Sequence, residues 1–223
     1  MFYGRYLEIE RPTRLVATFT YEDAPETEAL DEVTFSGKAR TMRKLIESTH
    51  VALGGEIDSL QDWAFPYLDD EHTRYATDLL AGADALLLGR RTYEGLSASY
   101  PAMASNPFVD RMNSIPKYVA SRTLTSATWN ATVIPGDVAG FVADLKREPG
   151  GTIVKYGNGP LDRALMENNL IDEFHLLLTP VATGSGEHMF EEVRGAPQLT
   201  LADVRRFASG VLVLVYTPKA GAA

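Results

Sequence analysis

The spacing of apolar and polar positions changes near residue 40, and the chain divides there. Upstream, Arg14–Tyr21 (RLVATFTY) is rich in the β-branched and aromatic residues that suit a strand. Glu22–Glu28 (EDAPETE) reads as a polar turn around Pro25, and Ala29–Phe35 as a second strand. Residues 1–39 are therefore expected to form a β-hairpin extension. Such a unit is marginal by itself and needs another surface to lean on.

From Thr41 onward, apolar runs of strand length alternate with helical spacing. Met42–Val51 (MRKLIESTHV) predicts a strand, broken at Gly54-Gly55. Asp69 or Asp70 is placed to cap a helix reaching Ala81, with Tyr75, Leu79 and Leu80 on one face. Asp84–Leu88 (DALLL) is short, apolar and followed by glycine, the pattern of a buried parallel strand. Thr92–Ser97 then predicts a helix, Lys117–Ala120 a strand and Val138–Lys146 a helix. Gly151–Tyr156 predicts a strand, Leu161–Asn168 a helix and Phe174–Thr179 a strand. Leu199–Phe207 and Val211–Thr217 predict a closing antiparallel pair that turns at Ser209-Gly210. Strands spaced by helices mean an α/β sheet, here mixed, mainly parallel, with an antiparallel C-terminal edge. The expected division is an extension over 1–39, one α/β domain over 40–219 and a tail over 220–223.

Composition narrows the class. The 223 residues are 45% hydrophobic and 23% charged, which excludes a disordered or fibrous chain. There is no cysteine, hence no disulfide and no thiolate metal site, and a reducing cytoplasm is the expected compartment. No apolar run reaches the length of a membrane span, and the first ten residues lack the apolar stretch of a secretory leader. Acids exceed bases by 30 to 21, and no basic run is longer than a pair such as Arg90-Arg91. That balance argues against a general nucleic-acid binder, yet a phosphorylated cofactor needs only a few placed cations.

In open α/β sheets, ligands collect beyond the carboxyl ends of strands. Three such ends carry suggestive residues. Gly89-Arg90-Arg91-Thr92 follows DALLL and combines a close-approach glycine, a helix start and arginines. Ser121-Arg122-Thr123 follows KYVA, a hydroxyl–guanidinium–hydroxyl cluster suited to a phosphomonoester. Gly157-Asn158-Gly159-Pro160-Leu161 follows TIVKY, with Pro160 placed to open a helix. Any one of these could serve turn chemistry alone; three at the ends of one sheet point to a nucleotide. Trp63, Phe65 and Tyr67 could wall a flat heterocycle or be core. His50 and His175 fall in strands, where a satisfied core histidine is the commoner case, and His72 falls on a helix surface. No HxH or HExxH spacing exists, so no metal site is expected.

Two stretches resemble known families. GRYLEIERPTRLVATFTY and EALDEVTF, within residues 2–36, resemble a fragment of the START-like domain of the Hsp90-ATPase-activator-homologue family, too short to supply that family's ligand cavity. MRKLIESTHVALGGEID, DALLLGRRTYEG, KYVASRTL and YGNGPLDRALMENNLIDEFHLLLTPVATGSGEHMFE resemble the dihydrofolate-reductase-like family. The nearest branch is the C-terminal reductase domain of the bifunctional riboflavin-biosynthesis deaminase-reductase, over about residues 41–219. This second resemblance implies a mixed sheet flanked by helices and NADPH as cofactor. It implies Gly89 to Thr92 at the pyrophosphate and adenosine ribose, and Ser121, Arg122 and Thr123 at the 2′-phosphate. Gly157 to Leu161 would hold the pyrophosphate at a helix N-terminus, with Val51 and Ala52 flanking the nicotinamide. It implies a homodimer as well.

The family's Ser-Leu-Asp-Gly appears here as Ala52-Leu53-Gly54-Gly55, so its acid is missing. Asp69, Asp70 and Glu56 are the candidate carboxylates, with Gly54, Trp63, Phe65 and Tyr67 as candidate substrate-pocket residues. The expected activity is NADPH-dependent hydride transfer to a small heterocyclic or carbonyl substrate. The alternatives are the riboflavin-pathway reduction of a ribosylaminopyrimidine, a non-catalytic nucleotide-binding protein of the same fold and, from the START-like fragment, a lipid-binding module.

Overall fold

A computed structural model describes residues 2–10, 14–21, 24–34, 42–191, 193–194 and 196–219. The chain separates into two compact units, divided along the sequence between Thr41 and Met42.

In the first unit, β1 (Phe2–Glu10), β2 (Arg14–Tyr21) and β3 (Ala24–Thr34) form an antiparallel sheet in the order β1-β2-β3. A hairpin expectation thus falls one strand short. The segment expected as a turn is also strand from Ala24 onward, because a register shift between Thr20 and Tyr21 lets β3 start early. Pro25 is tolerated since β3 is an edge, where one row of N–H groups has no ladder partner. Phe35 and the proposed boundary at residue 39 lie outside the described residues, as do 220–223.

The second unit runs β4 (Leu45–Val51), α1 (Leu60–Trp63), α2 (Asp70–Ala81), β5 (Ala83–Gly89), α3 (Arg90–Ser99) and α4 (Pro107–Ser114). It continues with β6 (Lys117–Ala120), β7 (Ala131–Ile134), α5 (Val138–Arg147), β8 (Thr152–Tyr156) and α6 (Pro160–Glu167). It closes with β9 (Glu173–Leu178), β10 (Leu199–Arg206) and β11 (Leu212–Pro218). One eight-stranded sheet has the order β10-β11-β9-β4-β8-β5-β6-β7. The six strands from β9 to β7 pair in parallel, while β11 and β10 are antiparallel. This is the mixed, mainly parallel sheet of the dihydrofolate-reductase-like fold.

Alternation within the strands builds the layers. Leu86 and Leu88 face α2, α3 and α4 in one core with Leu80, Tyr93, Met112 and Val154. Ala85 and Leu87 face the other side, with Leu45, Val142, Leu145, Ile153 and Leu165 beneath α5 and α6. Leu86, Leu87 and Leu88 are each fully buried, as a central parallel strand requires. Helix starts are fixed by side-chain caps: Asp69 accepts from the His72 N–H at 2.8 Å, and Asp137 from the Gly140 N–H at 3.0 Å. Among the described residues no helix is long and apolar enough to cross a membrane.

Candidate functional site

Three strand–helix junctions open on one side of the sheet. β8, β5 and β6 are parallel neighbours, so their C-terminal ends at Tyr156, Gly89 and Ala120 align. At those ends lies a groove of about 1130 Å³. Gly89 to Thr92, Ser121 to Thr123 and Gly157 to Leu161 all line it, joined by Asp137, Lys155, Asp162, His188 and Phe190.

Two glycines shape the wall. Gly157 has φ of +77°, and a Cβ there would sit 2.2 Å from Thr92 Oγ1, so this glycine lets the β8–α6 loop close onto α3. Gly159 has φ of +154°, and a Cβ there would meet nothing within 4 Å.

The cations differ in availability. Arg90 pairs with Glu94 at 3.0 Å and Arg91 with Glu187 at 3.2 Å. Arg122 forms no ion pair among the described residues. Beside it, Ser121 Oγ accepts from the Thr123 and Leu124 N–H groups at 3.2 and 2.9 Å, which fixes the loop and leaves the hydroxyl proton to donate.

Beneath the groove lies a charged cluster that strand-end reasoning missed. Glu47 of β4 and Lys155 of β8 are register partners in the sheet centre, and each is essentially inaccessible to solvent. Lys155 Nζ lies 2.7 Å from Glu47 Oε2 and 2.6 Å from Asp162 Oδ1, and it also donates to the Gly157 carbonyl. Burial pushes the Glu47 carboxyl well above the ordinary carboxylate range, against the opposing pull of Lys155. Burial also disfavours the Lys155 ammonium, but Glu47 and Asp162 together outweigh it and raise its pKa. A signal was available, since charged residues inside central strands are rare unless paired. Asp162 further accepts from the Gly159 N–H at 2.8 Å. The start of α6 therefore already holds a carboxylate, and Pro160 contributes no N–H there, so less of that terminus is open to an anion than the sequence implies.

The second half of the expected site is distributed differently. Val51 and Ala52 are buried in two apolar clusters and do not line the groove. Trp63 packs with Ala52 and Ala64 and donates to the Asp58 carbonyl at 2.8 Å, Phe65 is exposed, and Tyr67 packs beside Tyr75 and Leu177. The three aromatics thus do not share one wall. Among the carboxylates, Asp69 is engaged as the α2 cap, and the His72 N–H it accepts holds its pKa down. Asp70 begins α2. Glu56 is buried, and its carboxylate stands 2.5 Å from where a Cβ on Gly54 would be. Glu56 thus brings a carboxylate beside position 54. Its own backbone N–H, the Thr183 hydroxyl and the His188 ring keep this group below the ordinary range.

One histidine corrects the sequence reading. His72 turns inward from the first turn of α2, and its Nε2 lies 3.2 Å from that of His50 at the end of β4. Burial lowers His50 to about 4 and also lowers His72, so the pair is neutral at pH 7. His175 bonds Tyr75 Oη at 2.6 Å and Glu173 at 3.1 Å, and His188 lies 3.9 Å from Glu56.

The profile of the RibD C-terminal domain family matches residues 43–213. The match starts beyond the first unit, and the START-like resemblance of residues 2–36 gains no support. The uncharacterised protein YyaP of Bacillus subtilis is 31% identical over 182 residues, spanning 78% of this chain and 94% of its own. A Shewanella sp. PV-4 protein assigned by name to riboflavin biosynthesis superposes with a TM-score of 0.61 at 21% identity, covering 79% of this chain and 99% of that one. The Thermotoga maritima diaminohydroxyphosphoribosylaminopyrimidine deaminase/5-amino-6-(5-phosphoribosylamino)uracil reductase superposes at 0.58 with 11% identity. There the chain spans 80% of itself and 57% of the bifunctional protein. With a profile match over most of its length and YyaP above 30% identity across nearly all of that relative, the chain belongs to the RibD C-terminal domain family, a reductase-like family.

Proposed function

We propose that this protein is an NADPH-dependent reductase of a small heterocyclic or carbonyl compound. One observation carries the reading: three loops from three adjacent parallel strands converge on one groove, and the one whose arginine has no acidic partner also presents a free hydroxyl proton. The donor set fits a pyridine dinucleotide. Arg122 and Ser121 suit the 2′-phosphate, and Asn158 Nδ2, buried without a partner, is a donor awaiting an acceptor. The helix start at Gly89, which carries no side-chain cap, suits the diphosphate.

When bound, NADPH would supply the hydride, and the chain would supply binding and orientation. Glu56, held as a carboxylate, is an acceptor that can fix a substrate N–H, and for the same reason it is a poor acid. A carboxylate at the place of the missing family acid favours turnover over a binding-only role. Reduction of a ribosylaminopyrimidine is the narrower form of this reading, and the T. maritima relative supports it. Two measurements test the proposal: fluorescence titration of the chain with NADPH, and NADPH oxidation with imines, small carbonyls and aminopyrimidines. Saturable binding with turnover of at least one class is expected. Absence of saturable binding up to millimolar cofactor would overturn it.

A further inference from the structure

We propose that Glu47, Lys155 and Asp162 form a positioning unit that sets the shape of the Gly157–Gly159 loop, and through it the affinity for the dinucleotide's diphosphate. This rests on the dinucleotide reading above. An ammonium has three protons and no acceptor, and Lys155 Nζ donates to the Gly157 carbonyl while it sits in ion-pair contact with Glu47 Oε2 at 2.7 Å and Asp162 Oδ1 at 2.6 Å. The chain of contacts continues, because Asp162 takes the Gly159 N–H with its other oxygen. The loop is thus gripped at both ends by buried side chains. Peptide planarity converts this grip into a binding surface. In a trans peptide the C=O and the next N–H point opposite ways. With the Gly157 carbonyl turned down to Lys155, the Asn158 N–H turns away from the triad, towards the groove. With the Gly159 N–H turned down to Asp162, the Asn158 carbonyl turns away likewise. One residue then offers a donor to a phosphate oxygen and an acceptor to a ribose hydroxyl. Loss of the grip frees φ and ψ at two glycines, the residues with the most conformations to regain.

The test is Asp162→Asn, whose amide cannot accept from both Lys155 and Gly159 without facing one of them with its own donor. The dissociation constants of NADPH and NADH should both rise, about tenfold and by the same factor, because the two cofactors share the diphosphate. Amide exchange at Gly159 should quicken while exchange in β5 stays slow. Glu47→Gln, which leaves both loop contacts standing, should weaken both cofactors by a smaller factor, about threefold. A lower melting temperature with unchanged dissociation constants and unchanged Gly159 exchange would show a structural role only and overturn the proposal. A larger loss for NADPH than for NADH would also overturn it, because the 2′-phosphate would then be the group affected. Should the wild type bind neither cofactor, the functional reading fails while the Gly159 exchange still decides the positioning role.

Discussion

Replacing Gly157 with alanine tests how the groove wall is made. The residue has φ of +77°, and a Cβ would fall 2.2 Å from Thr92 Oγ1 and 3.2 Å from Thr92 Cβ and Cγ2. A left-handed conformation costs a residue with a Cβ about 1–2 kcal/mol. Forcing an extra methyl into a filled space costs about 1–3 kcal/mol more. Reduced freedom of the unfolded chain offsets about 0.4–1 kcal/mol, so the net loss should be about 1–4.6 kcal/mol. The two terms are separable. Thr92→Ala removes the Oγ1 and Cγ2 atoms, so the double variant should recover the steric part and retain the conformational part, a positive coupling of about 1–2 kcal/mol. Urea denaturation of the four chains, compared at constant slope, measures this without reference to any ligand. A Gly157→Ala loss below about 1 kcal/mol, or no recovery in the double variant, would refute the reasoning.

Arg122→Ala should weaken NADPH about tenfold or more and leave NADH unchanged, because a charged hydrogen bond to the 2′-phosphate is worth about 1.5–3 kcal/mol; equal losses in a titration of both cofactors would make the arginine structural. Lys117 is buried beside the Trp129 ring at 4.1 Å, and burial, with a smaller push from Arg111, lowers its pKa from 10.5 to about 8. Folding therefore disfavours its charged form, so wild-type stability should rise relative to Lys117→Met between pH 8 and pH 10.5, and the variant should be up to about 3 kcal/mol more stable at pH 7 by denaturant titration. A chain beginning at Met42 should bind NADPH as tightly as the full chain by fluorescence titration, since every groove residue lies in the second unit; loss of affinity in a still-folded truncation would assign residues 1–41 a role in the site. Dihydrofolate should be turned over near background, because Asp69 is engaged as a helix cap and Glu56 stays ionised and a missing general acid costs about 10²–10⁴ in rate; brisk oxidation of NADPH abolished by Asp69→Asn would identify a pterin-binding carboxylate.

Most of the sheet was legible because its strands carry their own evidence. DALLL, KYVA, TIVKY and FHLLLT are short apolar runs closed by turn residues, and each falls within one or two residues of an observed strand. β7 was not foreseen: Ala131–Ile134 is a four-residue edge strand with only Ile134 buried, so its pattern is too short to announce a period. α4 was missed although Asn106 caps it through the Phe108 and Val109 N–H groups and Pro107 opens it, signals that stand out only once its apolar face, Val109 and Met112, is seen against the core. β1 was missed because its alternation is broken at Tyr6–Glu8, where the ladder shifts register.

The site divides along the same line. Gly89 to Thr92, Ser121 to Thr123 and Gly157 to Leu161 are local sequences, each needing only its own strand end, and pattern reading brings all of them to one groove. The substrate side is assembled from residues whose neighbours are distant in the chain or displaced in register. His50 and His72 look like a core residue and a surface residue until α2 folds over β4. Glu56 fills the space beside Gly54 only because the chain turns at Gly55, with φ of +98°, and returns to pair with His188. A residue-by-residue register finds no acid at position 54; the geometry puts the Glu56 carboxylate 2.5 Å from where a Gly54 Cβ would be. Glycine at 54 leaves room for that carboxylate, since a Cβ there would fall 2.5 Å from Glu56 Oε1 and one of the two would have to shift. Gly54→Ala should therefore displace the Glu56 carboxylate, Glu56→Ala should remove the acid, and Gly54→Asp with Glu56→Ala should return one, read as KM in NADPH oxidation; a double variant no better than Glu56→Ala would refute the equivalence of the two positions.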